Sequence, residues 1–167
     1  MKLTRAIVGG LIGAVIVWVI VLVGGMISKS HADLCLLLGA SITGSADAAA
    51  WIAGAVGQLV LGAVSGVVYA AIFEWVTRRA GGVVGFVVGL AHVVVAGVAT
   101  GFLPAQRLLE ASIQPPAAFL EYRGLAALIA FIIAHLAFGT FVGAVYGRVL
   151  HAVVPSRVVW RDVSASS

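Results

Sequence analysis

Two apolar stretches of this chain repeat one another 77 residues apart. Gln58 to Ala70 (QLVLGAVSGVVYA) and His135 to Gly147 (HLAFGTFVGAVYG) share a polar first residue, two glycines and a tyrosine at the same positions. The apolar runs before them match more weakly at an offset of 76, which aligns Gly9, Gly13 and Gly25 with Gly85, Gly89 and Gly101. The chain therefore looks duplicated, and each repeat is a pair of hydrophobic helices.

Four runs are longer than the roughly 18 apolar residues that predict a membrane-spanning helix. They cover about residues 6–27, 48–76, 82–103 and 124–153. The chain is 62% hydrophobic and 10% charged, with a mean hydropathy of +1.17, so no segment is left for a soluble domain. We predict an all-α polytopic membrane bundle of four transmembrane helices in a single domain, residues 1–167, with parallel repeats at about 5–79 and 81–157.

Lysine and arginine residues indicate the orientation, because they favour the cytoplasmic side of short loops. One side of the membrane receives Lys2, Arg5, Arg78, Arg79, Arg148, Arg157 and Arg161, and the other receives Lys29, Arg107 and Arg123. Both termini are therefore expected in the cytoplasm. This distribution also accounts for the net charge of +4, so nucleic acid is not an expected partner.

The loop after the first span contains a second apolar patch, Leu34 to Ala40, which is too short to cross the membrane. It is expected to lie in the interface or to re-enter partway under the protection of other helices. Asp47 suits the N-cap of the second span. We assign four acidic residues to the outer side, where their spacing predicts no joint site: Asp33, Asp47, Glu110 and Glu121.

Glycines form stripes along three of the spans. Small residues let helix backbones approach closely. Helices in lipid depend on this close packing, because lipid tails provide no hydrophobic driving force for association. We therefore predict helix packing of the GxxxG kind rather than a glycine-lined slot. The predicted packing residues are Gly54, Gly62, Gly66, Gly85, Gly89, Gly139, Gly143 and Gly147.

His92 and His135 each lie near the middle of a span, where an ionisable side chain faces protein or water and is a functional candidate. The favoured interpretation is structural: a neutral ring that joins the third and fourth spans by an interhelical hydrogen bond. A second is a proton relay or polar path that includes Gln58, Ser65, Thr100 and Thr140. A third is axial ligation of a haem between the two helices, although the sequence identifies no groups for its propionates.

Several classes of function have no support in the sequence. No Asp, Glu, Lys or Arg lies in the middle of a span, which argues against a cation-coupled exporter or a voltage sensor. No nucleotide-binding loop, zinc-protease motif or hydrolase elbow is present. We therefore expect no enzyme, no metal site and no cofactor beyond the haem alternative.

The final span, with His135-Leu136 followed by Gly139, Gly143, Tyr146 and Gly147, resembles small four-helix bacterial membrane proteins of uncharacterised function. The preceding glycine-rich span with its central His92 is similar to the same group, so the resemblance covers residues 82–147. It implies a multi-pass protein of the bacterial cytoplasmic membrane and no particular activity.

Our leading hypothesis from sequence is a structural or accessory subunit that packs by its glycine faces against itself or a larger membrane complex. Helix packing through the glycine stripes is the most evident capacity of the chain. Membrane lipid is the other expected partner. The rival hypothesis is a small transporter or pore whose path passes His92 and His135 along the repeat axis. A haem-binding membrane subunit is the third.

Overall fold

A computed structural model describes residues 1–27, 29, 33–105, 109 and 118–149. Its helices are α1 (Leu3–Ile27), α2 (Leu34–Thr43), α3 (Ala48–Ala71), α4 (Gly82–Gly101) and α5 (Leu125–Tyr146). A π-helical segment, Ile72–Thr77, continues α3, and a 3₁₀ segment, Ala118–Arg123, precedes α5. The predicted all-α bundle is confirmed, since α1, α3 with its π segment, α4 and α5 are each long and apolar enough to cross a membrane.

The ends of the spans follow local chemistry. The second span begins where the Asp47 carboxylate accepts a hydrogen bond from the Ala50 amide at 2.9 Å, as an N-cap does. The fourth span was expected to continue to about residue 153. It ends at Tyr146 because Gly147 takes a positive φ of 69°, a conformation that glycine adopts without strain. Residues from 150 onward, including His151, and the loop residue His31 lie outside the described residues.

The helices do not pack in chain order. Helix α1 packs along both α3 and α5, and α5 packs along α4. Helices α3 and α4 are consecutive spans, yet they make no extended packing contact with each other. The bundle is therefore a row, α3–α1–α5–α4, that curves so that α3 and α4 face each other across a gap.

Two of these packed pairs cross with nearly the same geometry. A Cβ atom added to Gly10 of α1 would lie 2.9 Å from the carbonyl carbon of Gly62 and 3.1 Å from the Cα of Gly66 in α3. A Cβ added to Gly85 of α4 would meet Gly139 and Gly143 of α5 at the same two distances, 2.9 and 3.1 Å. Both crossings thus bring backbone against backbone and leave no room for a side chain.

The structural counterpart of Gly85 is Gly10, an offset of 75, and not Gly9 as the weak alignment at 76 suggested. The reason is the face on which each glycine lies. A Cβ on Gly9 would point at α5, 3.5 Å from Val145 and 3.7 Å from the Cα of Val142. Only Gly10 faces α3.

The remaining predicted packing glycines lie at two kinds of position. Gly54 contacts α2, where an added Cβ would lie 2.6 Å from the amide nitrogen of Gly39. Gly89 faces α5 with more space, at 3.4 Å from the carbonyl oxygen of His135. Gly147 was wrongly assigned to helix packing: it terminates α5, and the nearest atom to its added Cβ is the Arg5 guanidinium at 3.4 Å.

Helix α2 turns back alongside α3, so the predicted apolar patch re-enters the bundle. Its Gly39 lies against Ala50, and its Cys35 lies against Gly54 one turn further along, which makes the two helices antiparallel. The Asp33 carboxylate caps α2 by accepting from the amides of Cys35 and Leu36 at 2.9 and 3.3 Å. Close packing on α3 therefore protects the backbone of this short helix.

Asp33 lies deeper than an outer loop residue would. Its two carboxylate oxygens accept hydrogen bonds from the indole nitrogens of Trp18 and Trp51, at 3.4 and 2.9 Å. Trp18 lies nine residues before the end of α1 at Ile27, which is about 13 Å along a helix. From sequence, Asp33 is expected on the outer side with no site shared with the other acidic residues; the structure adds that its carboxylate is a hydrogen-bond acceptor shared by α1 and α3.

The opposite end of the bundle holds the N-terminus, residues 77–82 and the end of α5, and we call it the termini end. Buried Tyr146 donates to the Glu74 carboxylate at 2.5 Å and accepts from the Lys2 amide at 3.0 Å. Glu74 belongs to the π segment, which the hydrogen bond from Tyr146 attaches to α5. The described basic residues Lys2, Arg5, Arg78, Arg79 and Arg148 all lie at this end.

Candidate functional site

A cavity of about 250 Å³ lies between the spans in the middle of the bundle. All five helices contribute to its wall, and most of the lining is aliphatic or aromatic. The polar or ionisable residues in that lining are Gln58, Ser65, His92, Thr100 and His135. All five belong to the polar path predicted from sequence, and the structure brings them to one space.

The mouth of the cavity lies between α3 and α4. Among the lining residues, Leu61 of α3 is 52% exposed and Val95 of α4 is 67% exposed. On the opposite wall, Phe131 and Phe138 of α5 are almost fully buried. Because α3 and α4 do not pack along their length, the cavity opens sideways, toward the region where a bilayer would be.

Aromatic rings close the cavity toward the termini end. Phe138 lines the cavity and contacts the ring of Tyr69 at 5.5 Å between centroids. Tyr69 contacts Phe73 at 5.9 Å, and Phe73 contacts Tyr146 at 5.5 Å. These buried rings form a continuous plug from the middle of the bundle to its termini end. The first two contacts are edge to face and the third is tilted, and such ring pairs hold aromatic groups in preferred relative orientations.

His135 is 7% exposed, and its hydrogen bonding defines its tautomer. Its Nδ1 atom lies 2.8 Å from the carbonyl oxygen of Phe131, one turn earlier in α5. A carbonyl oxygen only accepts, so Nδ1 carries the proton and donates it. In the neutral ring Nε2 is then an acceptor, and no described residue donates a hydrogen bond to it.

His92 is joined to α3 rather than to α5. Its Nδ1 atom lies 3.2 Å from the hydroxyl of Tyr69, and the two rings meet edge to face at 5.7 Å. This hydrogen bond crosses the gap between α3 and α4 at the closed end of the cavity. It links two helices that have no extended packing contact of their own.

The predicted direct link between the third and fourth spans takes a different form. His92 and His135 touch edge to face, with centroids 5.1 Å apart and planes at 89°. No hydrogen bond joins the two rings, and their Nδ1 atoms are engaged elsewhere, one with Tyr69 and the other with Phe131. The interhelical hydrogen bond of the histidine pair therefore joins α3 and α4 instead of α4 and α5.

The same contact bears on the haem hypothesis. Rings that meet edge to face at 5.1 Å leave no gap for the plane of a porphyrin between them. Separating them would require moving α4 away from α5, whose backbones meet at Gly85 and Gly139. The two histidines do not fit a haem in this arrangement. Among the described residues, no group of three or more His, Cys, Asp or Glu is placed to hold a metal ion.

Gln58 and Ser65 project into the cavity from α3 without hydrogen-bond partners among the described side chains and backbone groups. Thr100 donates to the carbonyl oxygen of Gly97 at 2.8 Å. Thr140, the remaining member of the predicted polar path, does not line the cavity. It lies exposed on the outer face of α5 and donates to the Leu136 carbonyl at 2.8 Å.

The electrostatic character of the cavity follows from its lining. Among the lining residues that the structure describes there is no lysine, arginine, aspartate or glutamate. Four groups with unused hydrogen-bonding capacity remain among the described lining residues: the Gln58 amide, the Ser65 hydroxyl and the Nε2 atoms of His92 and His135. His135 is buried and the other three residues are half-buried, and buried polar groups in proteins are normally hydrogen-bonded, so these groups mark a place where another molecule can complete the bonding.

The hydrogen bond between Tyr69 and His92 was not predicted from sequence. The repeat identified Tyr69 as the equivalent of Tyr146, and that equivalence was the only available signal. Nothing local indicates that a tyrosine eight residues before the end of α3 and its π segment reaches a histidine on the next span. The contact exists because α3 and α4 face each other across the gap.

Comparison of the chain with protein-family models, with curated proteins and with solved structures found no match.

Proposed function

We propose that this protein is a non-enzymatic integral membrane protein that binds a small lipid-soluble molecule in its central cavity. The observation that carries the proposal is the combination of an apolar wall with four polar groups whose hydrogen bonds are incomplete among the described residues. Ligand sites in proteins have this composition, with a few placed polar groups in a largely hydrophobic lining.

The position of the mouth indicates whether the ligand enters from the lipid or from water. Leu61 lies 13 residues into a span of 30, about 20 Å from the start of the helix. The hydrocarbon core of a bilayer is about 30 Å thick, so this depth is close to its middle. A molecule that enters between α3 and α4 would therefore come from the lipid and would not cross an aqueous vestibule.

Binding is favoured over catalysis by the state of the two imidazoles. A histidine that acts as a general base is usually oriented by a carboxylate on its second nitrogen. Here the Nδ1 atoms of His92 and His135 are engaged by a tyrosine hydroxyl and a backbone carbonyl. Neither ring contacts a carboxylate within the described part of the chain.

The helix contacts and the aromatic plug bear on two of the hypotheses from sequence, the accessory subunit and the transporter. The glycine stripes that suggested an accessory subunit are occupied by contacts within the chain, so a partner complex or homo-oligomer would need other surfaces. A transport path would require the plug of Tyr69, Phe73, Phe138 and Tyr146 to move. Ligand binding needs neither condition.

Native mass spectrometry after gentle extraction tests the proposal. Ala99 is exposed at the mouth and lines the cavity, so Ala99→Trp should block entry. Ala91 is exposed on the same helix, two turns away, and does not line the cavity, so Ala91→Trp is the matched control. We expect one bound species on the wild type and on Ala91→Trp, and its loss from Ala99→Trp.

Equal adducts on all three proteins would show that the bound molecules sit on the outer surface, and the proposal would fail. The complete absence of bound species from the wild type, in extracts and after incubation with membrane lipids, would also reject it.

A further inference from the structure

We infer that the head group of the bound molecule is an uncharged hydroxyl, of an alcohol or a phenol, that donates a hydrogen bond to Nε2 of His135. This inference rests on the proposed function and adds the chemical class of the ligand. It follows from three observations: the tautomer of His135, the absence of charge in the lining, and the two unpaired groups on α3.

The tautomer sets the direction of the hydrogen bond. Nδ1 of His135 donates to the Phe131 carbonyl at 2.8 Å, so Nε2 of the neutral ring presents a lone pair. The ring lines the cavity and is 7% exposed, so its nitrogen is presented to whatever fills the cavity. A ligand that satisfies this atom must carry an O–H or N–H donor.

The lining selects against ions of either sign. Within the described part of the lining, a carboxylate or phosphate would find no lysine or arginine, and an ammonium group would find no aspartate or glutamate. Moving an unpaired ion from water into such an environment is far more costly than moving a neutral polar group. Fatty-acid anions, phospholipid head groups and organic amines are therefore poor occupants.

Gln58 and Ser65 complete the match to a hydroxyl. Each can donate a hydrogen bond, through an amide N–H or a hydroxyl, and each faces the same cavity as His135. A hydroxyl donates once and still accepts through its oxygen. A ketone or an ether accepts only, so it would leave Nε2 of His135 without a partner.

The size of the cavity fits a head group and not a whole lipid. A volume of about 250 Å³ lies just below the roughly 300–1,000 Å³ of typical small-molecule pockets. A hydroxyl with a compact ring or the first few carbons of a chain fills such a space. The rest of an apolar tail would extend through the mouth between α3 and α4 into the lipid.

Photolabelling in phosphatidylcholine vesicles tests the inference. The probe is a long-chain alcohol with a diazirine near its hydroxyl end, and the control is its methyl ether, which keeps the shape but lacks the donor. Labelled residues are identified by mass spectrometry, and unlabelled alcohol is the competitor. We expect competed labelling at Leu61, Val95 and Ala99 that is about tenfold greater for the alcohol than for the ether.

Two variants of His135 separate hydrogen bonding from packing. His135→Gln keeps a donor for the Phe131 carbonyl and an acceptor for the ligand, so it should retain most of the preference for the alcohol. His135→Phe keeps a ring of similar size but no acceptor, so the alcohol should bind no better than the ether. The comparison of the two probes on the wild type decides the question even if a variant fails to fold.

The outcomes distinguish this inference from the proposed function. Equal, competed labelling of the cavity by alcohol and ether would leave ligand binding intact and reject the hydroxyl. Preference for the alcohol that persists in folded His135→Phe would reject the role of Nε2. Labelling by neither probe at the mouth, together with no bound species in the native mass spectrum, would overturn the proposed function itself.

Discussion

Tyr69 and Tyr146 occupy equivalent positions in the two repeated stretches, yet their hydroxyls have different partners. Tyr69 meets Nδ1 of His92 at 3.2 Å, whereas Tyr146 donates to Glu74 and accepts from the Lys2 amide. The repeat therefore predicts where along the helix a tyrosine hydroxyl lies. The neighbouring helix decides what that hydroxyl does.

At the residue scale, the Tyr69 to His92 hydrogen bond should contribute to the stability of the bundle. Tyr69→Phe removes the hydroxyl, and we expect a loss of about 1 kcal/mol in unfolding free energy, typical of polar contacts between membrane helices. In a His92→Phe background, the same change should cost much less, because the partner is already absent. Unfolding in mixed detergent measures both values, and equal costs in the two backgrounds would contradict the hydrogen bond.

At the scale of helices, backbone contact at glycine holds the packed pairs together. The crossing of α1 with α3 at Gly10 and the crossing of α4 with α5 at Gly85 leave the same small clearances. Lipid tails are as apolar as the helices, so close packing replaces the hydrophobic effect as the source of association. The local sequence showed where small residues lie, and the helix pairs show which of them meet.

Alanine substitution at two glycines of α4 tests that packing. A Cβ at position 85 would lie closer than 3.0 Å to the Gly139 backbone, so Gly85→Ala must separate α4 from α5. Overpacking of this kind costs about 1–3 kcal/mol. Gly82→Ala is the matched control, because its Cβ would lie 3.5 Å from Thr140, an ordinary contact. Thermal melting in detergent should fall for Gly85→Ala alone, and equal melting of both variants would show that the crossing is looser than described.

At the scale of the whole molecule, the order of packing creates the cavity. Helix α1 lies between α3 and α5, and α4 is held by α5, so the two middle spans are left facing each other without close packing. A bundle in which every consecutive pair packed would have no opening there. The candidate site is thus a property of the arrangement and not of any one helix.

Orientation in the membrane is the whole-molecule prediction. Of the described lysine and arginine residues, five lie at the termini end and two, Lys29 and Arg123, at the other, so we expect the termini end in the cytoplasm of a bacterial cell and the loop between α2 and α3 outside. With a membrane-impermeant thiol reagent, Ala46→Cys should be labelled in intact cells and Thr4→Cys only after permeabilisation. The single native cysteine contributes little background, because Cys35 is 3% exposed and burial raises the pKa of its thiol to about 11. Labelling of Thr4→Cys in intact cells would reverse the orientation.

The number of spans, their approximate ends and most of the glycine contacts were predictable from sequence, because hydropathy, capping residues and small side chains act locally. Gly62, Gly66, Gly139 and Gly143 were placed at helix contacts for that reason, and they lie there. The same locality explains the error at Gly147, where a glycine of positive φ ends α5. It also explains why the two tryptophan partners of Asp33, which lie on different helices, were not predicted.

Only the tertiary structure decided which faces point inward. A span in lipid is apolar on all sides, so its sequence does not distinguish a face that meets another helix from one that meets acyl chains. For this reason the contact of His92 with Tyr69 and the outward position of Thr140 were not predictable. The same holds for the cavity that Gln58, Ser65 and His135 line together. Those juxtapositions depend on the order in which the helices pack, which is set by contacts between residues far apart in the chain.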